Sequence, residues 1–259
     1  KMLLSRAGNF IYLKTHKTGS TTVELALEPF CAPIGHKVIR KNKHPLITSN
    51  GIVGARSGGT KRRNNKDFFW NHMNCDEVIK RIGVDEFFTF NRVAAVRNPF
   101  KKFVSQFYFR YSSNPGYKMP KSLNETRAAF EDFIFSPYRG RFGFRNKFLY
   151  ILSSKKNDFF KKKAPLHPCL DNKIVMFKNE LVITHFIRNE NITSDLKEFC
   201  ISSKLDPNIL NVTHERDNSS KKKYNHIELF YKKSLVNRVI DLEGWVFDAV
   251  GYSKEPENA

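Results

Sequence analysis

Acidic residues are scarce in this chain of 259 residues: 25 Asp and Glu stand against 45 Lys and Arg, for a formal net charge of +20. Such a field favours polyanionic partners, whether nucleic acid, acidic glycan, anionic membrane or a multiply charged nucleotide, and does not choose among them. Cysteine is sparse as well. Cys31, Cys75, Cys169 and Cys200 lie far apart, and none shows CxxC or Cys/His zinc spacing, so neither a zinc cluster nor a dense disulfide framework is implied. No apolar run approaches the roughly 20 residues that cross a bilayer, and no signal peptide is visible. The chain also lacks a Walker A loop, G-x-x-x-x-G-K-[ST], which argues against a kinase of the P-loop type.

Apolar residues make up 40% of the chain, enough for a globular fold, and the length suits one large α/β domain over residues 1–259. Four N-x-S/T sequons, at Asn124, Asn191, Asn211 and Asn218, hint weakly at a secretory lumen.

The most informative stretch is NFIYLKTHKTGSTTVELAL, Asn9 to Leu27. Phe10 to Leu13 reads as a short buried strand. A polar turn follows, and from Thr21 a helix begins, with Val23 and Leu27 on one face. A strand, a tight turn and a helix start together gather backbone N–H groups around an anion, and the helix dipole adds positive potential at the same point. Gly19 permits close backbone approach and Lys17 adds a full charge. Thr18 contributes its amide, while Ser20, Thr21 and Thr22 offer hydroxyl donors. The bland alternative is an ordinary strand–helix corner with a capping hydroxyl.

A second stretch, VRNPFKKFVSQFYFRY, follows a predicted central strand over 88–96. Pro99 ends the strand, because the residue before a proline avoids helical geometry. Phe103, Phe107 and Tyr111 then share one helical face. Arg97 falls at the strand end and Ser105 about two turns into the helix. A guanidinium fork with a hydroxyl suits a phosphate dianion. Between the two stretches, residues 29–66 read as a long irregular region rich in His, Lys and Arg, either a solvated loop or a lid over an acidic acceptor. Aromatic residues at 68–70 lead into His72, placing it at a predicted strand end ahead of a helix from Cys75 to Ile82.

Together, K-T-G-S-T-T after a strand and Arg-x-Pro followed by a helix with a serine resemble sulfotransferases that use 3′-phosphoadenosine 5′-phosphosulfate (PAPS). More narrowly, HKTGSTT resembles the Golgi-type carbohydrate sulfotransferases and their microbial and viral relatives. The resemblance implies a P-loop-like three-layer α/β fold, with a central mostly parallel sheet flanked by helices. It implies that Lys17 to Thr22 hold the 5′-phosphosulfate, that Arg97 and Ser105 hold the 3′-phosphate, and that His72 is the general base. It further implies that one of Lys221, Lys222 and Lys223, in a late basic loop, closes over the nucleotide, which leaves as 3′,5′-ADP. The acceptor is then a glycan or another hydroxylated small molecule, and neither nucleic acid nor a metal is required. The compartment stays open between the cytoplasm, for a microbial or viral enzyme, and the Golgi lumen, for a chain whose upstream anchor has been removed. The competing functions are a nucleotide kinase and a non-enzymatic polyanion-binding module.

Overall fold

Residues 1–38, 40, 42–56, 65–114, 116–136, 166–212 and 227–259 are described by the computed structural model. Lys221, Lys222 and Lys223 lie outside them. The chain divides into two compact units: Lys1–Arg97 with Leu170–Asp217, and Asn98–Cys169 with Asn218–Ala259.

The first unit is built on Phe10–Leu13 (β2), whose four side chains are all buried. A strand with no polar face must be covered on both sides, which places it inside a sheet. Leu3–Ser5 (β1) pairs antiparallel with it, Leu3 opposite Tyr12. Asn91–Val96 (β5) pairs parallel on the other side, Leu13 opposite Ala94, and His185–Arg188 (β8) pairs parallel beyond that, Val96 opposite Arg188. Leu46–Thr48 (β3) and Gly51–Val53 (β4) complete a six-stranded sheet in the order β3-β4-β1-β2-β5-β8. The sheet is therefore mixed, with an antiparallel half (β3, β4, β1) and a parallel half (β2, β5, β8).

Alternate residues of these strands, Phe10 and Tyr12, Val93 and Ala95, face the helices Ser20–Leu27 (α1) and Ile192–Ser202 (α7) through Val23, Leu27, Leu196 and Phe199. Their neighbours Ile11, Leu13, Ala94 and Val96 are equally buried on the opposite face. The remaining elements of this unit are Cys75–Ile82 (α2), Val84–Thr89 (α3), the one-turn helix Asn172–Val175 (α6) and the small hairpin Met176–Phe177 (β6) with Glu180–Leu181 (β7).

Three local expectations change. The region over 29–66 contains the β3–β4 hairpin. Its strands are three residues each, too short for alternation to register, and its sequence signal is Ser49-Asn50 before Gly51. Gly51 is required by space: a Cβ there would lie 2.0 Å from the Leu4 carbonyl oxygen. The central strand starts at Asn91 rather than at residue 88, because the Phe-rich segment before it is α3, with Phe87 buried and Phe88 exposed. The aromatic run before His72 forms a single bridge, Trp70 with Ala55, and not a strand.

The second unit packs Pro99–Ser113 (α4), Leu123–Phe135 (α5) and Lys233–Val250 (α8) around aromatic rings. Phe107, Phe130 and Tyr231 make edge contacts at 5.3 to 5.4 Å. A 3-10 turn at Ile227–Phe230 precedes the last helix. Asn98 caps α4 by accepting from the Phe100 N–H, and Pro99 occupies the first helical position, where no N–H is missed. Lys102 and Glu243 form a buried ion pair at 2.5 Å where α8 kinks. All four cysteines are free thiols. Among the described residues, no helix is long and apolar enough to cross a membrane.

Candidate active site

Parallel pairing carries three chain segments off the same sheet edge. Leu13 lies opposite Ala94 and Val96 opposite Arg188, so the segments that begin at Lys14, Arg97 and Asn189 leave by one edge, Arg97 level with Asn189 and Lys14 two residues short of them. This C-terminal edge is where ligands bind in open α/β sheets.

The turn from Lys14 to Gly19 is held from below by its hydroxyls. Thr15 Oγ1 donates to the Ala95 carbonyl at 2.6 Å, stapling the turn to β5. With that proton committed, the Thr18 hydroxyl donates to Thr15 Oγ1 at 2.7 Å. Ser20 Oγ donates to the Thr15 carbonyl at 2.7 Å, and the Tyr12 phenol to the Ser20 carbonyl at 2.9 Å. These hydroxyls shape the loop, which leaves anion contact to backbone amides, to Lys17 and to the hydroxyl protons of Thr21 and Thr22.

Lys17 (φ 60°) and Gly19 (φ 71°) both adopt left-handed backbone on either side of Thr18. Turns of this kind draw successive N–H groups into a concave nest. Gly19 occupies the N-cap of α1, no side chain caps that helix, and its first turn carries no acid. The Thr22 N–H turns back to the Gly19 carbonyl at 2.9 Å, and among the described residues no side chain caps the amides ahead of it, which carry the positive end of the helix dipole.

Under the turn lies a buried charge cluster that sequence reasoning missed. Glu24 on α1 accepts from Lys14 Nζ and from the Arg56 guanidinium. Burial pushes its carboxyl up, but the neighbouring cations outweigh burial and lower it to about 2. Lys14 Nζ also reaches Thr21 Oγ1 at 3.1 Å. Burial lowers the Lys14 ammonium below its ordinary range, and Glu24 opposes that shift.

Two histidines stand over the turn. His72 sits on left-handed backbone (φ 53°) between the Trp70 bridge and α2. Its Nδ1 lies 3.0 Å from the Lys14 carbonyl oxygen. A carbonyl only accepts, so Nδ1 carries the proton and Nε2 keeps its lone pair. Burial, followed by the nearby His16 and Lys14, pushes the His72 imidazole well below its ordinary value. The ring is neutral at pH 7 and has a basic nitrogen to offer. His16 stacks on it, ring centroids 3.9 Å apart and planes 12° off parallel. The buried Asp171 carboxylate takes the His16 backbone N–H at 3.0 Å and its Nδ1–H at 2.6 Å. Nothing in the sequence links His16 to a residue 155 positions away.

The first unit thus brings together the Lys17–Thr22 turn, His72 and the strand end that carries Arg97. Ser105 lies on α4 of the second unit, half-buried. Among the described residues, no three His, Cys, Asp or Glu side chains gather in a way that could hold a metal ion. Compared with family models, with curated proteins and with solved structures, the chain finds no match.

Proposed function

We propose that the chain is a PAPS-dependent sulfotransferase acting on a hydroxyl, or an amine, of a carbohydrate or other small acceptor. The observation that carries this reading is the shared sheet edge. A helix start that no described side chain caps, behind two left-handed turn residues, an arginine on the adjacent strand end and a neutral histidine whose Nε2 makes no hydrogen bond among the described residues all belong to that edge. The fit to a doubly phosphorylated nucleotide is chemical: Lys14, Lys17 and Arg97 bring positive charge to this edge, and the carboxylates of Glu24 and Asp171 are engaged by cations or N–H donors.

In this mechanism His72 Nε2 takes the proton of the acceptor hydroxyl as its oxygen attacks sulfur. The bond from sulfur to the 5′-phosphate oxygen breaks in line, and 3′,5′-ADP leaves with the electron pair. Lys17 and the amides at the start of α1 offset the negative charge that grows on the leaving oxygen. Arg97 anchors the 3′-phosphate, and Ser105 and one of Lys221 to Lys223 are assigned to the same end of the nucleotide by resemblance. Incubation with sulfur-labelled PAPS and an acceptor panel tests the activity: label transferred to an acceptor supports it, and labelled γ-phosphate transfer from ATP in its place would establish the kinase reading.

The histidine also sets a pH dependence. Its folded-state pKa lies well below 6.5, so His72 stays unprotonated as pH falls through 6.5. The acid limb of kcat/KM therefore breaks well below pH 6.5. A break at or above 6.5 in the pH–rate profile would remove His72 as the base. Because the unfolded chain binds that proton more readily, stability also declines as pH drops below about 6.5.

A further inference from the structure

Gly19 has a neighbour that the sulfotransferase reading leaves unused. A Cβ built on Gly19 would lie 2.3 Å from Asn189 Nδ2 and 2.8 Å from Ile192 Cδ1. The carboxamide of Asn189 thus rests directly on the turn, at the N-terminal end of α1. Asn189 follows Arg188, the last residue of β8, and its place is fixed by that residue. The Arg188 backbone N–H and guanidinium all bind Asp195, at 2.7 to 2.9 Å. Asn189 is half-buried, and among the described residues its amide makes no hydrogen bond.

We propose that Asn189 is an anion-binding residue of the Gly19 turn, donating its Nδ2–H to an oxygen of a bound phosphate or sulfuryl group. This deepens the sulfotransferase reading and rests on it for the identity of the anion. Residue type supports the assignment. A carboxylate at this position would itself neutralise the helix start and repel an anionic ligand, whereas a carboxamide adds a donor without a competing charge. The side chain also explains why residue 19 is glycine: any Cβ would displace the donor, in addition to straining the left-handed backbone.

The test compares the wild type with Asn189→Asp and Asn189→Ala by thermal melting, without ligand and with inorganic sulfate, 3′,5′-ADP or adenosine 3′-monophosphate. Asn189→Asp keeps the shape and places a carboxylate at the start of α1, so its ligand-free melting temperature matches or exceeds that of the wild type. Its affinity for sulfate and for 3′,5′-ADP falls about tenfold or more, the loss expected of a hydrogen bond to a charged group. Adenosine 3′-monophosphate, which lacks the 5′-phosphate, binds wild type and variants alike. Asn189→Ala falls between the two. A merely structural Asn189 would lower the ligand-free melting temperature and leave the ligand ratios unchanged. Loss of the sulfate effect in the variants, with no 3′,5′-ADP effect in the wild type, keeps the assignment and overturns the nucleotide reading. Equal ligand shifts in all three proteins, or no shift with any ligand in the wild type, overturns the assignment.

Discussion

Replacing His72 by asparagine should abolish most of the proposed sulfuryl transfer, lowering kcat by about 10²- to 10⁴-fold, the usual contribution of a positioned general base. Asparagine is the informative replacement for two reasons. Its amide N–H can take over the bond that His72 Nδ1 makes to the Lys14 carbonyl, so the loop keeps its support. It also tolerates left-handed backbone better than most residues, and position 72 has φ 53°. What it lacks is the lone pair of Nε2. Affinity for 3′,5′-ADP should therefore be retained while turnover is lost. Turnover within threefold of wild type would show that the proton goes elsewhere, and His16, stacked on His72 and bonded to Asp171, would be the next residue to test.

The largest loss of stability is expected from Glu24→Gln. Glu24 is fully buried and receives Lys14, itself only 4% exposed, together with Arg56. Glutamine has nearly the same shape, so packing is spared, but these cations lose their counter-charge beneath the turn. Breaking a buried pair in this way costs about 3–5 kcal/mol. The urea midpoint should fall with little change in slope. Glu24→Asp keeps the charge and should lose less. The acid dependence follows in sign: with a folded value of about 2 against an ordinary 4.5, the stabilisation is complete above about pH 4.5 and is lost as pH falls towards 2. A loss below about 1 kcal/mol on Glu24→Gln would mean that water already screens the cluster.

The parts legible in sequence are those whose physics is local. β2, the turn and α1 follow from a four-residue apolar run, a glycine and a helical spacing, all within 20 residues. The end of β5 before Pro99, the helix that follows it and the span of α2 over Cys75–Ile82 were legible for the same reason. Three kinds of feature were hidden. Short strands such as β3 and β4 carry too few residues for a period to show. The Phe-rich α3 has strand-like composition, and only tertiary packing, with Phe87 turned into the core, makes it a helix. Long-range polar pairs leave no periodic trace, so His16 with Asp171 and Glu24 with Arg56 had no signal. Lys14 could have been found: a lysine closing a buried strand and placed seven residues before Thr21 needs a partner, and Glu24 is the nearest acid on the following helix.

The central claim is that the Lys17 turn and the end of β5 hold one doubly phosphorylated nucleotide. Thermal melting with 3′,5′-ADP, set against ATP with Mg²⁺, tests it most directly. At 100-fold excess over Kd, 3′,5′-ADP should raise the melting temperature by roughly 5 °C or more, and ATP with Mg²⁺ should not. Stabilisation by ATP with Mg²⁺ alone, or by heparin or DNA but by neither nucleotide, would contradict it.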